Sequence, residues 1–81
     1  MVTTFDLIAA TQRLVTRLQE LGMIGWSQKL AEALDAASTG GELVMAVRWH
    51  LRELERSGEE LPEDVRHQVR MIVQEINSTG W

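Results

Sequence analysis

The sequence contains no cysteine and no tyrosine, and it has only one proline and one phenylalanine among its 81 residues. Without cysteine the chain can form neither disulfides nor thiolate–metal bonds, and it has no thiol nucleophile. Domains of this size have a thin stability margin, and they often gain support from disulfides, a metal or a second subunit. With only two histidines as well, self-association is the support we expect.

Long hydrophobic runs are also missing, since no apolar stretch approaches the length of a membrane-spanning helix. Residues 1–6 lack the basic region and the apolar block that mark a secretion signal. Together with the absence of cysteine, these features predict a cytoplasmic protein that does not enter a membrane.

Basic charge is scarce, with eight basic against twelve acidic residues and a net charge of −4 at pH 7. This balance argues against a protein that binds a phosphate backbone. Lys29 is the only lysine, so the remaining basic residues are arginines, which suit planar pairing at interfaces. The hydrophobic fraction of 44% is typical of a folded globular chain.

Three breaks rich in Gly, Ser or Pro, at residues 22–25, 38–41 and 57–62, divide the chain into four amphipathic segments. The spacing predicts helices over about 4–21, 26–37, 42–56 and 62–77, of which the second is the shortest. Short connections place neighbouring helices roughly antiparallel. The predicted fold is therefore all-α: a single domain, residues 1–81, forming a compact four-helix bundle. The stripes predicted to face the core are Leu7, Thr11, Leu14, Val15, Leu18 and Leu21; Trp26, Leu30, Ala33, Leu34 and Ala37; Leu43, Val44, Val47, Leu51 and Leu54; and Val65, Val69, Ile72, Val73 and Ile76.

The third predicted helix carries more apolar residues than one core-facing stripe needs. Met45 and Trp49 fall off that stripe, Arg52 and Arg56 follow on the same side, and Arg48 borders it. Because Trp49 and Arg52 are three residues apart, we expect the guanidinium to lie on the indole. Two interpretations remain open: the bundle buries both sides of this helix, or the second side binds a partner, which is either another protein or a second copy.

Trp81 also has two interpretations, because it lies beyond the last helix. It either packs back over an open edge of the bundle or is available to a partner. The residues predicted to bind a partner are Met45, Arg48, Trp49, Arg52, Arg56 and Trp81.

The sequence shows no arrangement of residues that is typical of a catalytic site or a metal site. The serines at 27, 38, 57 and 78 all lie near helix ends, where capping explains them. Asp64 and His67 have a metal-ligand spacing, but they point away from the apolar stripe and no second acid–His pair accompanies them. His67 is expected in solvent, and His50 is expected half-buried and hydrogen-bonded. The sequence therefore predicts a non-enzymatic protein with no cofactor, no metal and no small-molecule substrate.

A helix-turn-helix DNA-binding regulator is the alternative, with the second and third helices as the motif. In such a regulator, the third helix would begin with polar side chains that contact the edges of the bases. It begins instead Glu42-Leu43-Val44-Met45, which offers few polar groups to bases. The net negative charge also opposes this alternative.

Thr39 and Glu42 are spaced as a capping box, which predicts a helix start there. From this start through the Met45, Arg48 and Trp49 pattern, the chain resembles small uncharacterised all-helical bacterial proteins. The segment from Trp26 to Leu34 ahead of it is also similar to them, so the resemblance covers about the middle half of the chain. Some proteins of this sort act as immunity or antitoxin partners, and the resemblance implies a protein-binding role that neutralises or scaffolds a partner.

Overall fold

The structure is a computed structural model that describes residues 4–78, with side chains from Asp6 onward. It consists of four α-helices: α1 (Thr4–Glu20), α2 (Ile24–Ala36), α3 (Gly40–Arg56) and α4 (Glu63–Ser78). No strand occurs in this part of the chain. The predicted all-α fold of four helices is confirmed, and α2 is the shortest helix as expected.

The helix starts differ slightly from the predicted ones. α2 begins at Ile24 and not at Trp26, because Gly25 is accommodated in its first turn. α3 begins at Gly40, two residues before the predicted start, because the N-cap residue Thr39 is followed directly by helical backbone. α4 begins at Glu63, one residue after Pro62.

The helices pack around a central pair. α1 contacts each of the other three helices, and so does α3, whereas α2 and α4 make no contact with each other within residues 4–78. α2 and α4 therefore flank the α1–α3 pair separately. None of the helices formed by residues 4–78 combines the length and hydropathy needed to cross a lipid bilayer.

Each helix supplies the core from its predicted stripe. The buried apolar residues are Leu7, Leu14, Val15, Leu18, Leu30, Ala33, Leu43, Val44, Val47, Leu51, Leu54, Val65, Val69, Ile72 and Ile76. Trp26 was expected in the core, but it is only half-buried and packs at the edge of the cluster. The ammonium of Lys29 lies 4.8 Å from the centroid of the Trp26 ring, which is a cation–π contact at the surface.

Two polar side chains are fully buried in this apolar core, Thr11 and Ser27. Ser27 was predicted to cap a helix end, but its hydroxyl donates a 2.9 Å hydrogen bond to the carbonyl of Ile24 inside α2. Among the described residues, the Thr11 hydroxyl has no hydrogen-bond partner. Burial of a hydroxyl without a partner costs free energy, so Thr11 lowers the stability of the fold in the middle of α1.

The start of α3 is fixed by reciprocal hydrogen bonds. The Thr39 hydroxyl accepts a bond from the Glu42 amide at 3.1 Å, as the capping spacing predicts. The Glu42 carboxylate reaches one residue further back than in the standard capping box and accepts a 2.9 Å bond from the Ser38 amide. These bonds satisfy amides at and just before the helix start and hold the first turn of α3 in place.

The end of α1 is equally well defined. Gly22 has a φ of +79°, and its amide donates to the Gln19 carbonyl at 3.0 Å. The Met23 amide donates to the Leu18 carbonyl at 2.9 Å, which completes the Schellman arrangement. The chain therefore turns sharply from α1 into α2.

Candidate functional site

α3 presents two large apolar side chains to solvent. Met45 is 72% exposed and Trp49 is 60% exposed, although both lie on the helix whose Val47 and Leu51 are fully buried. At about 100° per residue, Met45 and Trp49 fall on the side directly opposite the core-facing residues. Of the two interpretations of this helix, burial of both sides by the bundle is therefore wrong for Met45 and Trp49.

Arginines continue this side of the helix. Arg52 and Arg56 are exposed, and within the described part of the chain neither forms an ion pair. Arg48 is half-buried at the border. We call Met45, Trp49, Arg52 and Arg56 the α3 outer face. It combines apolar surface with two guanidinium groups that are available to carboxylates.

The expected stacking of Arg52 on Trp49 is not formed. The Trp49 ring instead meets the imidazole of His50 edge-on, with centroids 5.0 Å apart and an interplanar angle of 80°. The His50 ring is held by a 2.8 Å hydrogen bond between its Nδ1 and the carbonyl of Ala46. Since a carbonyl can only accept, Nδ1 carries the proton in this arrangement. The prediction of a half-buried, hydrogen-bonded His50 is confirmed. Its ring packs against the exposed indole of Trp49.

Asp64 and His67, which have a metal-ligand spacing in the sequence, do not come together in the structure as part of a metal site. Asp64 accepts a 2.8 Å hydrogen bond from Nε of Arg17, and His67 is exposed. That hydrogen bond, with the neighbouring positive charge, holds the pKa of Asp64 below its ordinary value. Among the described residues, no three carboxylate or imidazole side chains come together as a set that could hold a metal ion. The Arg17–Asp64 pair was not predicted, because its members lie 47 residues apart.

Two of the surface depressions among the described residues include no residue of the α3 outer face. One, of about 340 Å³, follows the α3–α4 connection and includes Glu55, Arg66 and Arg70. Another, of about 220 Å³, lies between α1 and α4 beside Met71, which is 42% exposed. Most of their charged side chains are exposed.

The remaining predicted residues divide into two groups. α3 brings Met45, Trp49, Arg52 and Arg56 together on one face, with Arg48 at its edge. Trp81 lies outside the described residues. For the helix-turn-helix alternative, the outward residues in the first turns of α3 are Glu42 and Met45, and neither donates hydrogen bonds to bases.

Comparison of the chain with protein-family models, with curated proteins and with solved structures gives no match. The resemblance to small helical bacterial proteins therefore stays a prediction.

Proposed function

We propose that this chain is a non-enzymatic protein-interaction module that binds a protein partner through the α3 outer face. The observation that supports this proposal most is the 60% exposure of Trp49 beside Met45 on a helix that is otherwise well packed. Tryptophan, methionine and arginine are the residue types enriched in interface cores, and tryptophan and arginine dominate binding hot spots.

The chemistry of the face defines the partner surface that fits it. Trp49 and Met45 require an apolar surface, which would take both side chains out of water. Arg52 and Arg56 require carboxylates at the border of that surface, where each planar guanidinium can pair with two oxygens. The partner site is therefore an apolar surface bordered by Asp or Glu.

The support behind the face suits this role. The capped start at Thr39 and the packing of Leu51 and Leu54 hold α3 in one conformation, so binding costs little ordering of the backbone. The module would act by covering part of its partner or by holding it in place, as the resemblance to immunity and antitoxin proteins implies. The cysteine-free composition favours the bacterial cytoplasm as its place of action.

Site-specific photo-cross-linking in the native host tests this proposal. A photoreactive amino acid at position 45 should give a discrete protein adduct, whereas the same residue at position 71, the exposed Met71 of α4, should not. The adduct at position 45 should disappear in the Arg52→Glu background and persist in the Arg70→Glu background, which has the same charge change on α4.

Two outcomes would count against the proposal. The first is the absence of any specific adduct at position 45, and the second is an adduct that does not respond to Arg52→Glu. A salt-dependent shift of duplex DNA that is lost in Arg52→Glu would favour the helix-turn-helix alternative instead.

A further inference from the structure

The residues along the outer side of α3 follow the spacing of a coiled-coil seam. Glu42, Met45, Trp49, Arg52 and Arg56 are separated by three, four, three and four residues. This alternation keeps one line of side chains facing a second helix in a coiled coil. All five residues lie within α3, with Arg56 as its last residue, and all are exposed.

We propose that the occupant of the α3 outer face is a second copy of the chain, with the two α3 helices packed antiparallel about a twofold axis near the level of Val47. This inference rests on the proposed function and names its partner. In that register Met45 faces the partner's Trp49, and Glu42 faces the partner's Arg52. The twofold axis repeats both contacts, so two apolar layers lie between two charged layers.

Each of these layers is chemically complementary. A methionine thioether packs favourably against an aromatic ring, and both exposed apolar side chains leave water together. In the outer layers a carboxylate meets a guanidinium. The Glu42 carboxylate accepts from the Ser38 amide through Oε2, which leaves Oε1 for the partner's Arg52. Arg52 has no ion pair of its own within the described residues.

The charge distribution selects the antiparallel arrangement. The acidic residue of the seam is at the N-terminal end of α3, and the arginines are at the C-terminal end. A parallel pair would place Glu42 against the partner's Glu42 and Arg52 against the partner's Arg52, and like charges in contact are unfavourable. The antiparallel pair also sets the two helix dipoles head to tail.

The extent of the seam sets the strength of this contact. The two helices meet in only four layers, so we expect the buried area to lie below the roughly 1,200 Å² at the lower end of standard specific interfaces. The dimer should therefore be weak and concentration-dependent, with dissociation in the micromolar to millimolar range.

Charge exchange between the two outer layers tests the register. Arg52→Glu places Glu against Glu in the homodimer, and Glu42→Lys places Lys against Arg. Each variant alone should sediment as a monomer at concentrations where the unmodified chain dimerises. Their equimolar mixture should regain dimers, because both outer layers are then oppositely charged. Arg70→Glu should dimerise like the unmodified chain.

A second measurement covers the event that Glu42→Lys unfolds, since Glu42 belongs to the cap of α3. The chain has no native cysteine, so Met45→Cys and Trp49→Cys introduce single thiols. Mild oxidation of an equimolar mixture of the two variants should give the mixed disulfide in well over the twofold excess over either homodisulfide that random pairing produces. A parallel pair would give the homodisulfides instead.

The results separate this inference from the proposed function. A chain that stays monomeric up to millimolar concentration, a mixture of folded charge variants that does not dimerise, or homodisulfides in place of the mixed disulfide overturns the antiparallel dimer. If the adduct at position 45 then has the mass of a different protein, the protein-binding function stands with another occupant. If position 45 gives no specific adduct either, both the antiparallel dimer and the protein-binding function are wrong.

Discussion

Nε of Arg17 donates a 2.8 Å hydrogen bond to Oδ2 of Asp64 and so ties the last turns of α1 to the first turn of α4. A second carboxylate, that of Glu20, lies 3.6 Å from the same guanidinium. The bond to Arg17 lowers the pKa of Asp64, and the same contact raises the pKa of Arg17. The Asp64 side chain is 54% exposed and the Arg17 side chain 36% exposed, so solvent screens the pair and it contributes modestly to stability.

The lowered pKa of Asp64 gives this contribution a defined pH dependence. A carboxylate whose pKa is lower in the folded state stabilises the fold above its unfolded pKa, which is about 3.9. That stability is lost as the pH falls through the folded pKa. The free energy of unfolding should therefore be lower for Asp64→Asn than for the unmodified chain at pH 7, and the two should converge toward pH 2. Denaturant unfolding measured from pH 7 to pH 2 gives this comparison.

Asp35→Asn is the matched control for that series, because Asp35 is an exposed aspartate on α2 with no ion pair among the described residues. It should show little difference at any pH. A gap between Asp64→Asn and the unmodified chain that stays constant or widens in acid would contradict the pairing of Asp64 with Arg17.

The cap of α3 should be measurable as a side-chain effect. Thr39→Ala removes the hydroxyl that accepts the Glu42 amide and should cost about 1 kcal/mol of unfolding free energy. Ser38→Ala should change stability little, because Ser38 takes part through its backbone amide. Urea unfolding of the two variants checks the difference, and equal losses would show that the cap does not depend on the Thr39 hydroxyl.

The buried hydroxyl of Thr11 offers a stabilising substitution. Thr11→Val keeps the shape of the side chain and removes a fully buried polar atom that has no partner, so stability should rise by about 1 kcal/mol. Thr16→Val is the control on the same helix: its hydroxyl is at the surface and donates to the Gln12 carbonyl at 3.1 Å. It should give no such gain. Thermal unfolding tests both, and a loss of stability in Thr11→Val would reveal a partner for that hydroxyl.

Alanine substitutions at Trp49 and Leu51 should affect the free energy of unfolding very differently, although the two residues are only two positions apart. Leu51→Ala opens a cavity in the core and should cost about 2–5 kcal/mol. Trp49→Ala should change the stability of the monomer by less than about 0.5 kcal/mol, because the indole is mostly exposed. Unfolding at low protein concentration measures both effects without a contribution from association. A large loss in Trp49→Ala would mean that the indole supports the fold itself.

Two glycines in adjacent turns provide a test of backbone conformation. Gly22 has a φ of +79°, so Gly22→Ala should cost about 1 kcal/mol through strain, although a Cβ there would have space. Gly25 lies in the first turn of α2, and a Cβ there would also meet no neighbour within 4 Å. Gly25→Ala should therefore stabilise the chain by a few tenths of a kcal/mol up to about 1. Unfolding curves that move in the same direction for both would contradict this.

The sequence predicted those features that depend on local periodicity and local hydrogen bonds. The stripe from Leu43 to Leu54 identified the core side of α3, and the spacing of Thr39 and Glu42 identified its start. Side chains at the margin of a stripe were harder, because the depth of Trp26 depends on how closely α2 approaches its neighbours. The Arg17–Asp64 bond could not be predicted, since it depends on the packing of two helices that are distant in sequence.

The sequence predicted which residues of the candidate site share one side of α3, but it could not predict that this side is exposed. Helical spacing placed Met45 and Trp49 off the core stripe, yet only the packing of α3 against α1, α2 and α4 decides whether that side is covered. Trp49 pairs with His50 and not with Arg52, because the imidazole is already held in place by the Ala46 carbonyl, whereas the Arg52 side chain is exposed to solvent.

The separation of α2 from α4 has a thermodynamic consequence. Since these helices touch the α1–α3 pair but not each other, a side chain on α2 can influence one on α4 only through an intervening helix. Free-energy changes at distant sites without shared partners add. Substitutions at exposed positions of the two flanking helices should therefore combine without epistasis, whereas buried positions are coupled through the α1–α3 pair that both helices contact. The exposed sides of α2 and α4 are thus two independent places to adjust stability while α3 keeps its outward side chains.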